Sequence, residues 1–403
     1  MTECPAYNPF DRDVLEDPFS AYAKMRPVCP VHRFDGHDPA FYTAFTYDAV
    51  VEIVMNRDDW TARYGISPKF QRGVGFNTDG PEHLKFRRAV LSGLTPRNIE
   101  ALTPDITTEV DGLIDGMRRH GPGDFHELFA GPLPIGVFIK LLGVSGDPKR
   151  FKELADTLMA EGMNSTSPES FQRIVAELDE YWAGQLAPRR EALAAVEHPG
   201  PECLGTVVPG DLISALLVFR TDDDRPLTDF EISNSLMNLL LAGAETTTSL
   251  LTNVVWRLLE DRTRWEAVLA DRSLIDKAIE ESLRFDAPVL GMFRTSTREV
   301  ELEGVTIPGK SKIQVNYAAA NHDPAIFSSP DAFLLDRPHE ELRRHVAFGK
   351  GAHVCPGAQL SRLEAHIALS ALLDAFPTLR LEGPGTRIDP FNFWGRKTLP
   401  LSW

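Results

Sequence analysis

Cys355 stands in the stretch Phe348-Gly349-Lys350-Gly351-Ala352-His353-Val354-Cys355-Pro356-Gly357, which has the chemistry of a loop presenting one thiolate to a metal. Gly351 and Gly357 are expected to allow turns and close approach that a side chain would block. Phe348 is placed to cover the loop as a hydrophobic lid. From Ala358 to Leu369 the sequence has helical periodicity. Cys355 is therefore expected at a helix N-terminus, where the dipole and free N–H groups favour an anionic sulfur. No second Cys or His sits near it at zinc spacing, so an axial haem ligand fits better than a zinc site.

A second group with chemical potential is Ala242-Gly243-Ala244-Glu245-Thr246-Thr247. Glu245 is an acid in an apolar run, which is costly unless paired or solvated. Thr246 can bond back to the carbonyl four residues earlier, and Gly243 weakens a helix by about 1 kcal/mol relative to Ala. Read alone, the run fits either a kinked core helix or an acid–alcohol pair. Glu281 and Arg284 form an i, i+3 carboxylate–guanidinium pair on one helix face. His83 and Arg87 share a face at i, i+4.

The elements that position these groups are legible in part. Thr228-Asp229-Phe230-Glu231 is a capping box, with Leu227 and Ile232 as its hydrophobic staple. Apolar character then continues to about Leu259, roughly 45 Å of helix at 1.5 Å per residue. Such a helix crosses a whole domain and must be largely buried. Amphipathic helices dominate from Pro81 to about residue 290. Strand-like pieces lie at 40–45, 300–308 and 312–317. The best linker candidate, 200–210, is flanked by helical patterns of the same character, so one domain over 1–403 is expected. The fold class is mainly α with a smaller β portion.

Composition narrows the function. A net charge of −16 over 403 residues argues against nucleic acid as a partner. The N-terminus lacks the basic and apolar regions of a signal peptide, and no apolar run approaches the roughly 20 residues that span a bilayer. No membrane anchor is expected. Cys4, Cys29, Cys203 and Cys355 show no disulfide framework in their spacing, which fits a reducing cytoplasm.

The pattern Phe-x-x-Gly-x-His-x-Cys-x-Gly around Cys355 resembles the haem-binding signature of the cytochrome P450 family. The run around Glu245-Thr246 is similar to the family's distal helix, where a local opening receives dioxygen and an acid–alcohol pair relays protons; Glu stands here where many members have Asp. Glu281-Ser282-Leu283-Arg284 matches the Glu-x-x-Arg motif, and Pro330 to Arg337 matches the Pro-x-x-Phe-x-x-x-Arg segment. These motifs occur in the family's order, and the resemblance covers nearly the whole chain. It implies a cytochrome P450 fold, with haem b (iron protoporphyrin IX) held between a long distal helix and the proximal Cys loop and helix. Cys355 would ligate iron, and Glu245 and Thr246 would be catalytic. Ala242 and Gly243 would lie against the cofactor, and His83, Arg87, Arg294 and His353 would meet its propionates. Glu281, Arg284 and Arg337 would form a structural network. Many members carry a backbone N–H directly after the ligating Cys; Pro356 has none.

The implied activity is insertion of one oxygen atom from O2 into a small or medium hydrophobic molecule, by hydroxylation or O-dealkylation. Nothing in the chain resembles a fused flavin or iron–sulfur domain. Electrons would come from NAD(P)H through a reductase and a ferredoxin or flavodoxin. By analogy, Arg88, Arg97, Arg343, Arg344, Lys350 and Arg362 flank the haem loop on the face where that donor docks. A peroxide-driven peroxygenase is one alternative, and the acid–alcohol pair argues against it. A non-enzymatic haem sensor or carrier is another. Asn238, Ala242, Val289, Leu290, Met292 and Phe393, with residues 60–75, would line a mostly apolar pocket. Asn238 would either bond a polar group on the substrate or be satisfied within the helix.

Overall fold

The computed structural model describes residues 4–144, 149–151, 153–155, 157–158 and 168–403. Four helices and one sheet position the residues singled out above. Helix α1 spans Gly80–Gly93, α2 Asp229–Glu260, α3 Ile275–Phe285 and α4 Ala358–Ala375. The mainly α architecture with a smaller β portion is as expected.

Helix α2 begins at the expected capping box. The Glu231 amide donates to Thr228 Oγ1 at 3.2 Å, and the Thr228 amide donates to Glu231 Oε2 at 2.9 Å. Lys85 of α1 and Arg225 also engage Glu231, so this cap ties two helices together. The helix is 32 residues long and belongs to the main hydrophobic core. Three of its buried hydroxyls bond backbone carbonyls, while Ser249 Oγ has no partner among the described residues. Ser235 donates to the Glu231 carbonyl and Thr252 to that of Ser249, while Thr248 reaches across to Ala130. A polar residue that bonds the preceding turn can be buried without leaving an orphaned donor.

The sheet has strands β1 (Val31–Phe34), β2 (Phe41–Ala44), β3 (Trp60–Thr61), β4 (Met292–Ser296) and β5 (Lys312–Val315), in the order β1-β2-β5-β4-β3. β2 and β5 are parallel, with Phe41 opposite Lys312 and Ala44 opposite Val315. The helical body enters between these partners, since parallel neighbours require a long crossover. The expected strand at 300–308 is a hairpin, Val300–Leu302 with Val305–Ile307. Its turn residues Glu303 and Gly304 both have positive φ, the conformation that suits a two-residue hairpin turn.

The segment 200–210 contains a single 3₁₀ turn, Pro201–Cys203. It is not wholly exposed: Cys203 is buried with Leu193, Val208 and Val218 in a small separate cluster. The expectation of unpaired cysteines fails at the N-terminus, where Cys4 and Cys29 are joined by a disulfide with Cα atoms 5.4 Å apart. Their spacing carries no motif; the pairing arises because the segment around Tyr7 packs back onto the start of β1. Cys203 and Cys355 are free. Among the described residues, no helix is long and apolar enough to cross a membrane.

The charged core beside α3 is the strongest constraint. Glu281 and Arg284 are 0% exposed and Arg337 is 2% exposed. Glu281 accepts from Arg284 Nε and Nη2, from Arg337 Nε, each at 2.8 Å, and from the Leu334 amide at 2.9 Å. The other guanidinium N–H groups reach the carbonyls of Asn321, Pro330, Ala332, Ser328 and Ser329. Removing one partner strands charge in a dry interior. Glu281→Gln is expected to lower unfolding stability by about 3–5 kcal/mol, read as the shift in urea midpoint. A loss under about 1 kcal/mol would show that the two arginines do not need the carboxylate.

Candidate active site

The Cys355 loop is shaped by backbone conformations that only glycine adopts easily. Gly349 and Gly351 have φ of +69° and +71°. A Cβ on Gly351 would also come within 2.9 Å of the Val54 carbonyl. Gly351 thus meets the expectation of close approach, and Gly357 does not. Its φ is −86°, and a Cβ there would make only ordinary contact, 3.8 Å from Cys355 Sγ. The loop closes through the Cys355 amide, which donates to the Phe348 carbonyl at 2.8 Å. Arg362 of α4 lies over the Phe348 ring at 4.6 Å, so the expected lid is held by a cation.

Burial pushes the Cys355 thiol pKa up. The amides of Gly357 and Ala358 and the cations Arg87 and Arg362 oppose that shift without overcoming it. The amides at the start of α4 favour the anionic sulfur, as the sequence reading expects, and desolvation outweighs them. A coordinated metal supplies the missing positive charge and deprotonates such a thiol outright.

Four cationic candidates converge beside the loop. His83 is 2% exposed, and its two ring nitrogens lie 3.2 Å from the Phe76 carbonyl and 3.1 Å from the Ala352 carbonyl. His353 lies 4.0 Å from His83, ring centre to ring centre, and its Nε2 is 3.3 Å from Asp79 Oδ1. Asp79 precedes α1 yet makes no side-chain cap. Its carboxylate is spent on His353, on Thr61 and on the Ala62 amide at 3.1 Å. Burial alone would raise its pKa, but the bonds from His353 and Thr61 win and draw it down to about 2. Arg87 donates to the Val354 carbonyl at 2.7 Å, and Arg294, 6% exposed, to the Phe293 carbonyl at 2.9 Å. Among the described residues, no carboxylate pairs with either arginine. Guanidinium groups without carboxylate partners, Arg87 beside a half-buried thiol and Arg294 beside His353, fit an anionic prosthetic group that brings its own carboxylates. The donor set therefore fits haem.

Helix α2 passes through Ala242–Thr247 without a break, so the expected opening is not a gap in the helix. Thr246 Oγ1 donates to the Ala242 carbonyl at 2.6 Å, as read from sequence. Glu245 is half-buried, and burial alone raises its pKa above that of an ordinary carboxyl. Gly243 has a packing reason as well: a Cβ there would come within 2.3 Å of the Phe138 ring, so its missing side chain admits the helix Pro132–Leu142. Asn238 is satisfied within the helix, because its amide donates to the Asn234 carbonyl at 2.7 Å and to Asn234 Oδ1 at 3.0 Å.

The pocket candidates come together in part. Val289 bridges Phe393, and the Leu290 amide donates to the Asn392 carbonyl at 2.9 Å. Met292 opens β4. The segment 60–75 departs from the apolar expectation. Arg63, Tyr64, Phe70, Arg72, Asp79 and Glu82 line a cavity of about 450 Å³, so charge of both signs faces it. Lys312 escaped the sequence reading. It is 0% exposed and donates to the Tyr64 and Gly65 carbonyls at 2.7 and 2.9 Å, pinning that segment to β5. Burial brings its pKa down to about 8. Asp79 was also missed. The one sequence signal for either is an ionisable residue at a strand start or a helix cap; their partners lie far away in the chain.

The sequence profile of the family described as "Cytochrome P450" matches residues 163–394. Cytochrome P450 107B1 of Saccharopolyspora erythraea is 34% identical, covering 94% of this chain and 92% of that protein. The cytochrome P450 monooxygenase PikC of Streptomyces venezuelae is 32% identical, over 97% of this chain and 92% of its own length. Among solved structures, CYP109E1 from Bacillus megaterium in complex with testosterone superposes with a TM-score of 0.82 at 28% identity, covering 96% of this chain and 99% of that one.

Proposed function

The chain belongs to the cytochrome P450 family and is a haem monooxygenase, and we propose that Cys355 is its iron ligand and that its substrate is a hydrophobic molecule of small or medium size. The observation that carries the ligand assignment is the half-buried Cys355 thiol beside Arg87, with Arg294 acting on His353 two residues away; neither arginine has a carboxylate partner among the described residues. When bound, haem with a thiolate ligand activates dioxygen and favours O–O cleavage. Arg87 and Arg294 supply donors for its propionates. His353 is held for the same edge by Asp79, and His83 braces the loop through the Ala352 carbonyl.

Glu245 and Thr246 move protons in this reading. The Thr246 hydroxyl is oriented by the Ala242 carbonyl, and Glu245, with its raised pKa, can reload it from the half-buried side. Thr246→Ala is expected to uncouple the cycle. In a reaction reconstituted with NADH, a reductase and a ferredoxin, cofactor consumption continues, peroxide accumulates and product per NADH falls several-fold. Unchanged coupling removes Thr246 from the relay. Turnover with peroxide alone and none with NADH would favour a peroxygenase.

The substrate reading rests on the apolar ladder of Val289, Leu290 and Phe393 and on the steroid bound by CYP109E1. Electrons come from separate proteins in this reading, and a ferredoxin is the preferred donor. Of the expected basic docking residues, Arg88 is spent on Asp222 and Arg362 on Glu280. Lys350 and Arg344 both lie over the Tyr47 ring, exposed and without a carboxylate partner among the described residues. They support docking of an acidic donor on this face. Charge reversal at both is expected to slow first electron transfer by roughly tenfold at low ionic strength, with the difference vanishing in high salt. Identical rates at low salt would rule out this face.

Pro356 gives the ligand its individual character. The amides of Gly357 and Ala358 reach the sulfur, while Pro356 offers none. Fewer bonds to the sulfur leave it a stronger donor to iron. Pro356→Leu is expected to raise the ferric/ferrous potential, measured by spectroelectrochemistry. A potential that stays or falls, with an unaltered haem spectrum, would show that Gly357 and Ala358 supply all the bonding that matters.

A further inference from the structure

We propose that Cys4, Cys29 and His32 form a zinc site in the reduced protein, replacing the disulfide as the tether of the N-terminal segment. The ligand atoms of the three residues lie within 4.8 Å of one another, and His32 Nδ1 is 3.8 Å from Cys29 Sγ. Tetrahedral zinc, with Zn–S of about 2.3 Å and Zn–N of about 2.0 Å, needs its ligand atoms roughly 3.5–3.8 Å apart. The imidazole already stands at that distance from one sulfur. Only the two sulfurs must part, and Cys4 lies on an exposed segment that is free to let them.

The surroundings suit a ligand set. The His32 ring is hydrogen-bonded to the Tyr7 backbone, the kind of outer bond that fixes the orientation of a metal-binding imidazole. The Tyr7 ring meets His32 edge-on at 5.7 Å, holding it from the other direction. Cys29 is buried while Cys4 is exposed, so three protein ligands would leave one coordination position open to water.

A disulfide does not persist where cellular dithiols keep thiols reduced. Reduction transfers two electrons and two protons from such a dithiol to the Cys4–Cys29 bond, and the dithiol becomes a disulfide. Zn²⁺ then displaces one proton from each thiol and takes the neutral imidazole as third ligand. The cross-link matters because the residues just after Cys4 reach the site. Tyr7 packs against Phe45, and Phe10 meets Phe391 at 4.7 Å, beside the Leu290–Asn392 ladder of the proposed pocket. Zinc would hold this strap in place when the disulfide is open.

The test uses haem-loaded full-length protein, prepared oxidised and after phosphine reduction, dialysed against zinc with a competing chelator. Metal analysis is expected to find one zinc per chain in the reduced form and none in the oxidised form. Reduced Cys4→Ser and His32→Ala are each expected to lose most of that zinc. Cys4 is exposed, so folding of its variant is secure, and the haem spectrum reports that Cys355 is untouched in every sample. Reduced wild type carrying no more zinc than Cys4→Ser would overturn the site. Zinc retained equally in His32→Ala, or in the oxidised protein, would overturn it as well.

Discussion

Two neighbouring carboxylates on α3 hold together the framework in which the thiol is presented. Glu281 turns inward and is shared by Arg284 and Arg337, locking the segment from Ser328 to Arg337 onto the helix. Glu280 turns toward the loop and accepts from His345 at 3.0 Å and from Arg362 Nη2 at 3.0 Å. Burial would raise its pKa, yet its bonds to His345 and Arg362 win and draw it down to about 2. One helical turn thus grips both ends of the loop, since His345 precedes it and Arg362 comes after it on α4. Asn321 adds a third clamp by accepting the Val346 amide at 2.7 Å. The charged members of this network are each answered by several partners, which is what keeps such a network rigid in a dry interior.

Electrostatic imbalance, by contrast, marks the places where a partner is expected. Arg87 and Arg294 keep guanidinium N–H groups that no described carboxylate answers, Arg87 beside a thiol whose pKa burial pushes up and Arg294 beside His353. A thiolate-ligated iron carrying two propionates resolves both conditions together. Glu364 of α4 is a different case. It is 3% exposed, its Oε2 has no hydrogen-bond partner, and burial pushes its pKa up to about 8, so it is largely neutral at physiological pH. That neutrality is how an acid can be tolerated beneath the proximal helix.

The sequence was most legible where chemistry is local. The Cys355 loop, the capping box of α2, the back-bond of Thr246 and the Glu281–Arg284 pair all rest on residues a few positions apart, and each stands in the structure as read. The strands at 41–44, 300–307 and 312–315 likewise arise from short patterns. The features that escaped depend on distant segments. Asp79 reads as a helix cap but serves His353, 274 positions away in the chain. Gly243 reads as a weak point in a helix, whereas its role is to admit Phe138. Lys312 reads as a strand residue and instead anchors the segment at Tyr64. Cys4 and Cys29 meet because an irregular segment folds back, which no spacing rule encodes. The desolvation of the Cys355 thiol was illegible for a related reason, since burial is a property of the whole fold and the helix terminus is a property of one turn.

The most direct test of this account is the carbon monoxide spectrum of the reduced protein. Wild type is expected to absorb near the position characteristic of thiolate ligation, and Cys355→His to retain haem while losing that band. Survival of the thiolate band in Cys355→Ala would contradict the assignment on which the proposed function stands.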